Sequence, residues 1–279
     1  CQGKRYPVQI GIMGDLRLMT NQVLSTGYPE LDVLIGGVQP GDNIVWEIDS
    51  GVELQPFITK YFRSSLDSKL GYISFNRSPQ TTAARIEMET YQQRMMLVDC
   101  FTGGKGRNDA VFSEFYNNLS RDDKNRVIAV KKPHDISEVI TVMDSIGKDI
   151  ARRGRFVFDS LTGMMELWKC EETALSFFNY SCPRLFDLEA VAYWICEKKA
   201  HSETFLARIK HITQVVIEIV IKEGQEFFVL QKAENRNHAL IGVPVQFNIL
   251  NDTLKLSGIH PKYKAEGRRD ISNFSLNLV

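Results

Sequence analysis

Short apolar runs that alternate with stretches of helical period constrain this chain more than any other feature. Ile44-Val45-Trp46 carries no polar alternation, so a strand built from it must be covered on both faces. That is the situation of a mostly parallel sheet with helices on each side. Gly71 to Phe75, Met95 to Val98, Phe156 to Phe158 and Val191 to Cys196 read the same way, and Arg126 to Val130 is a weaker member. Between them, Pro56 suits a first helical turn, where its missing N–H would have no partner. Phe57, Tyr61, Phe62 and Leu66 then form an apolar stripe. Ile136, Val139, Ile140, Met143, Ile146 and Ile150 recur at helical spacing, predicting an amphipathic helix that ends near Arg152, Arg153 and Gly154. Glu171 to Leu188 is a second helical region. Beyond His201 the pattern changes. Val215 to Ile221 and Phe227 to Leu230 flank Glu223-Gly224 as a hairpin, and Val245 to Leu250 and Thr253 to Leu256 follow. The expected fold class is α/β, a three-layer sandwich whose mostly parallel central sheet ends in antiparallel C-terminal strands.

With 279 residues, 43% apolar and 24% charged, the chain can close a large core. No Pro/Ser-rich linker divides it, so one principal domain is expected over residues 21–258. Residues 1–20 form a lead-in and 259–279 a tail. Thirty-four basic residues cancel thirty-four acidic ones, so no global field draws the protein to nucleic acid or to an anionic membrane. No run approaches the ~18 apolar residues of a membrane span, and the first residues lack a secretion signal. A soluble, cytoplasmic protein is expected. The five cysteines, Cys1, Cys100, Cys170, Cys182 and Cys196, contain no CxxC pair. They specify neither a disulfide framework nor a metal site, and most read as core thiols. A start at Cys1 reads as trimming or excision from a longer chain, with a lipid-modified N-terminus as the second choice.

In an open α/β sheet, ligands settle at the carboxyl ends of the strands. One such end follows Trp46 and reads Glu47-Ile48-Asp49-Ser50-Gly51-Val52-Glu53-Leu54-Gln55; another is Asp159-Ser160 after Phe156-Val157-Phe158. An acid closing an apolar strand, far downstream of a strand-loop-helix unit, is the arrangement of a P-loop nucleotide hydrolase.

The sequence resembles the KaiC-like branch of the RecA superfamily. Leu24 to Gly37 looks like the family's opening motif, in which a threonine-glycine turn, Thr26-Gly27, precedes the Leu31-Asp32 pair and the Gly36-Gly37 pair. Val38 to Gly41 resembles the lead-in to the phosphate-loop strand. Gly71 to Arg85 is similar to the second strand and following helix, and Phe156 to Gly163 to the Walker B segment. Lys232 to His238 with Phe247 to Leu256 is similar to the closing strands. The resemblance spans Leu24 to Gly258 and implies a RecA-like fold and an ATP–Mg²⁺ site.

The catalytic residues that the resemblance implies do not carry over. The family's loop laid on Ile48 to Gln55 puts Leu54 at the lysine position and Gln55 at the magnesium-binding Ser/Thr position. Ile48 and Glu53 replace two glycines, and Gly51 remains. Such a loop needs glycines so that N–H groups can cradle phosphates, and a lysine to offset their charge. A lone Glu53 carboxylate ~4 Å from a phosphate charge would cost roughly 4 kcal/mol at an effective dielectric near 20, and Asp49 would add to it. The family's two consecutive glutamates are Asn76 and Arg77 here, neither of them a general base. Its Lys-x-Arg pair is Lys232 and Glu234. Asp159 remains, a vestige of magnesium binding or a cap on a Ser160-Leu161-Thr162-Gly163 turn.

The remaining features read as structural. Gly103-Gly104-Lys105-Gly106-Arg107 is a loop running into a cap at Asn108-Asp109, and His201 and His238 are surface or turn histidines. Tyr61-Phe62 and Phe177-Phe178 are core pairs. Lys262, Lys264, Arg268 and Arg269 read as a solvated tail, and Ile271 to Val279 as a segment that docks on a partner or on its own core. The sequence thus predicts no catalytic residue, no metal and no cofactor; ATP–Mg²⁺ is possible and not favoured. It predicts a pseudo-ATPase of assembly or signal regulation, pairing with itself, with an active paralogue or with other proteins, without membrane or nucleic acid. The alternatives are an ATP-binding KaiC-like ATPase with an atypical loop and a DNA-associated recombinase paralogue.

Overall fold

Burial on both faces decides which runs become strands. In the computed structural model, which describes residues 24–65, 67–146, 152–236 and 240–259, every residue of β1 (Asn43–Ile48) and of β2 (Leu70–Ser74) is buried. The sheet continues with β3 (Met95–Asp99), β4 (Val127–Ala129), β5 (Arg155–Asp159), β6 (Val191–Glu197), β7 (Val215–Lys222), β8 (Gln225–Ala233), β9 (Pro244–Leu250) and β10 (Thr253–Ile259). The order is β10-β9-β8-β7-β1-β6-β5-β2-β3-β4. From β7 to β4 all neighbours are parallel. From β7 to β10 they are antiparallel, as expected for runs joined by short turns.

Among the described residues the α-helices are α1 (Pro29–Ile35), α2 (Gln55–Arg63), α3 (Pro79–Arg85), α4 (Ala110–Asn117), α5 (Arg121–Lys124), α6 (Ile136–Ser145), α7 (Leu161–Trp168), α8 (Glu171–Asp187) and α9 (Glu203–Ile212). Alternate strand residues feed two cores. On one face Trp46, Tyr193 and Phe228 meet Phe57, Tyr61 and Phe62 of α2, with Tyr61 and Tyr193 stacked at 3.9 Å. On the other, Val45, Phe156, Phe158 and Trp194 meet Phe177 and Phe178 of α8, with Phe158 and Trp194 stacked at 3.8 Å. The Tyr61-Phe62 and Phe177-Phe178 pairs are thus core residues.

The opening motif has a mechanical basis. The Asp32 carboxylate accepts from Ser25 Oγ at 2.5 Å and from the Thr26 N–H at 2.7 Å. Gly27, at φ +91, leaves room for α2, since a Cβ there would stand 2.4 Å from the Lys60 carbonyl oxygen. Gly36, in the left-handed region, ends α1.

Three sequence readings are corrected. β1 runs past Trp46 to Ile48, so Glu47 is a strand residue and the loop begins at Asp49. The Ser160-Leu161-Thr162-Gly163 stretch is not a turn capped by Asp159. It opens α7, and the cap is Ser160, whose Oγ accepts the Gly163 N–H at 3.0 Å. The weak strand is Val127–Ala129, shorter than Arg126 to Val130. Helix α6 is described to Ser145; Ile150, Leu66, His238, the lead-in and residues 260–279 lie outside the described residues. Cys100, Cys182 and Cys196 are buried and Cys170 is exposed; Cys1 lies outside the described residues.

Candidate functional site

Because β1, β6, β5 and β2 are parallel neighbours, the loops at their carboxyl ends share one rim. They enclose a cavity of about 250 Å³ lined by all eight residues from Ile48 to Gln55, by Asn76, Arg77, Asp159 and Ser160, and also by Tyr72, Arg85 and Glu197. Lys232 and Glu234 are not among its walls. Lys232 donates to the carbonyls of Lys210 and His211 at 3.1 and 3.2 Å and stands 3.6 Å from Glu234. The cation holding this end of the chain is Arg236. It is buried against Asp42 and donates through Nε to the Gly37 carbonyl at 2.9 Å.

Asp159 sits at the centre, 3% exposed. The register that pairs Ser74 with Asp159 brings the end of β2 alongside it. Its Oδ2 accepts from the Tyr72 hydroxyl and from Arg77 Nη1, each at 2.7 Å, and Asn76 Nδ2 reaches Oδ1 at 3.4 Å. Burial and the Asp159 charge push the Tyr72 phenol well above its ordinary range, so it remains a donor. Asn76 is held in turn. It donates to Ser160 Oγ at 2.8 Å and accepts from Lys105 at 2.9 Å, and Lys105 also pairs with Glu166. The glycine-rich 103–107 stretch is a loop, as expected, and Lys105 fastens it to the site.

The stretch from Asp49 to Leu54 is a tight turn. Val52 N–H donates to the Asp49 carbonyl and Asp49 N–H to the Ile219 carbonyl, both at 3.2 Å. Leu54, at the position of the expected lysine, is buried in the core. Gln55 Nε2 is committed to the Arg85 carbonyl at 2.5 Å and to Thr59 Oγ1 at 3.3 Å. Glu53 is not the lone charge that the sequence suggests. Its Oε1 accepts the Gln55 N–H at 3.1 Å and Arg85 Nη2 at 2.8 Å, so its repulsion of an anion is smaller than for an uncompensated carboxylate. Each acid of the loop, and Asp159, has a cation from this chain: Arg77 on Asp159, Arg85 on Glu53, and Lys199 at 3.4 Å from Asp49.

Two buried environments outside the cavity walls escape sequence reasoning. His201 is not a surface histidine; its side chain is 0% exposed. Its Nε2 lies 2.9 Å from Thr162 Oγ1, its ring stacks on Phe205, and burial lowers its pKa. The second is a pair of carboxylates on neighbouring strands, Glu47 of β1 beside Glu218 of β7. Glu218 is paired with Lys198 and accepts from Gln231 at 2.5 Å. Glu47 is 0% exposed, and the ammonium of Lys210 stands 2.9 Å from its Oε2. Burial pushes the Glu47 carboxyl up, and Lys210 opposes that in part. The acidic residue inside the Trp46-Glu47-Ile48 run was the available signal.

Among the described residues no cluster of His, Cys, Asp and Glu could hold a metal ion, and no helix is long and apolar enough to cross a membrane.

No family model matches the chain, and no curated protein matches it. Solved structures do. One is a KaiC-like protein from the hyperthermophilic archaeon Pyrococcus horikoshii OT3, 12% identical, with a TM-score of 0.56 over 84% of this chain and 98% of that one. Another is an uncharacterized protein from Pyrococcus horikoshii solved in complex with an unknown peptide, 15% identical, with a TM-score of 0.62 over 85% of this chain and 99% of that one. At these identities the likeness is one of fold: the chain has a KaiC-like, RecA-type α/β sandwich.

Proposed function

We propose that this chain is a non-catalytic KaiC/RecA-like domain, a pseudo-ATPase, acting in assembly or signal regulation through contacts with other proteins. The observation that carries the reading is the Arg77 guanidinium on Asp159, at 2.7 Å. The carboxylate that would hold a magnesium ion in a working P-loop site is taken by a cation of the protein's own. A magnesium-bound triphosphate does not fit the residues present. Where a working loop has its lysine and its magnesium-binding hydroxyl, this loop has Leu54, which is in the core, and Gln55, which is held by Arg85. No step of hydrolysis is therefore assigned.

With its charges matched internally, the rim can serve as a protein surface. Head-to-tail association of RecA-like domains sets such rims at subunit boundaries, which favours a homo-oligomer or an active paralogue as partner. The peptide bound by one structural neighbour supports a fold that takes polypeptide. The deciding measurement is a calorimetric titration of the protein with ATP and Mg²⁺ at moderate salt, with oligomeric mass recorded alongside. No binding up to millimolar ATP is expected. Micromolar, magnesium-dependent binding would overturn the reading and make the chain a nucleotide switch.

A further inference from the structure

Beside the edge of the sheet formed by β3 and β4 lies a groove of about 480 Å³. Its floor is apolar, made by Ala83 and Ala84 of α3, by Met88, by Phe115 of α4 and by Leu119. Met88 and Phe115 belong to the core on the α2 face, so the groove opens onto that core. Its lip is acidic. Glu87, Glu89 and Asp123 stand there with one cation, Arg126. Arg126 is committed to Asp123 and to the Met88 and Gln92 carbonyls. Glu87 is met by Arg63 at 2.5 Å, and among the described residues Glu89 has no cation.

The chain carries a segment of matching chemistry. After β10, Lys262, Lys264, Arg268 and Arg269 outnumber Glu266 and Asp270, and Ile271, Phe274, Leu276 and Leu278 follow. These residues lie outside the described ones, which end at Ile259. The exposed large apolar side chains elsewhere are spread over α1, α4, α8, β7 and β9. The groove instead gathers apolar groups from three segments under one acidic lip. Position decides which copy the segment meets, because β10 is one edge of the sheet and β3 and β4 are at the other. Eight strand spacings of ~4.8 Å separate β10 from β3, roughly 38 Å along the sheet, and α1 and α2 stand on the same face. The twelve residues from Ile259 to Ile271 span about 40 Å when fully extended. They leave no slack for a path over two helices to the groove of their own copy. A neighbour whose β4 edge lies beside β10 is within easy reach.

We propose that residues 262–279 of one copy dock in the α3–α4 groove of a second copy. The basic half of the segment meets the acidic lip, and Phe274 and Leu276 cover Met88, Phe115 and Leu119. Segment and groove lie at opposite edges, so each copy gives its segment to one neighbour and receives that of another, a heterologous contact that builds rings or filaments. The groove shares no lining residue with the rim cavity, so the contact does not depend on whether that cavity takes nucleotide.

The test uses the full chain with p-benzoylphenylalanine in place of Phe274. Unlabelled and nitrogen-15-labelled protein are mixed in equal amounts, incubated until subunits exchange, irradiated and mapped by mass spectrometry. Cross-links from position 274 to residues 83–90 or 115–126 in mixed-isotope pairs are expected. Cross-links confined to one copy, cross-links to another surface, or none overturn the proposal. Sedimentation velocity of the full chain gives the second reading. Phe274→Asp and Leu119→Arg are each expected to weaken self-association about tenfold or more. Leu119 is half-buried, so its variant is paired with Ala84→Arg at an exposed position of the same groove. A chain that is monomeric throughout, or one that associates equally well with Phe274→Asp and Ala84→Arg, overturns the contact. None of these changes touches the rim cavity, so the titration with ATP and Mg²⁺ judges the pseudo-ATPase reading separately.

Discussion

Asp159 and Glu47 are buried carboxylates at the same end of the sheet, on strands separated only by β6, yet their surroundings are opposite. Asp159 is met by a phenol, a guanidinium and an amide. Glu47 has a single ammonium, that of Lys210, beside it. One ammonium replaces less of the hydration that a carboxylate gives up than three directed donors do. The difference follows the layers. Asp159 ends its strand and faces the polar rim, whereas Glu47 lies in the layer of Val45 and Cys196, where the long side chain of Lys210 reaches it.

The largest expected effect breaks the weaker arrangement. Lys210→Met leaves the Glu47 charge uncompensated and should lower the unfolding free energy at neutral pH by about 3 kcal/mol, read from urea melts. A loss under about 1 kcal/mol would mean that water already reaches Glu47. Tyr72→Phe removes one donor from Asp159 and should cost about 2 kcal/mol in the same assay. A neutral result would show that Arg77 and Asn76 suffice. Glu47→Gln should change stability least, within about 1 kcal/mol, because Lys210 can then turn to solvent. Its pH signature is the sharper readout. Burial raises the folded pKa of Glu47, so its ionised form costs stability above that pKa and the cost is relieved as pH falls through it. Glu47→Gln should therefore gain on the unmodified protein as pH rises, and a gap that widens towards acid would contradict the assigned sign.

The strand runs were legible because burial on both faces leaves an unbroken apolar signature, as in Phe156-Val157-Phe158. The residues of the cavity were legible as a set, since the carboxyl ends of parallel strands must converge. Their partners were not. Arg77 meets Asp159 through a register between strands far apart in sequence, and no local pattern encodes a register. His201 lies among Lys198, Lys199 and Ser202, so its neighbourhood reads as surface, while the inward turn of its ring depends on Thr162 and Phe205. The misread start of α7 has a tertiary cause. Gly163 suggests a turn, but a Cβ there would stand 2.4 Å from Asn76 Oδ1, so the glycine makes room for the site within a helix.

The place of β1 in the sheet has a consequence for synthesis. It leaves the ribosome before every other described strand, yet its neighbours are β6 and β7, with Asn43 aligned on Ala192 and Ile44 on Val215. Until those segments emerge, β1 has two open edges and an apolar face on each side, a state prone to aggregation and expensive in loop entropy. A nascent chain stalled before Val191 cannot close its centre. The domain is therefore expected to fold late in translation, in one cooperative step, with chaperone protection needed over most of its length.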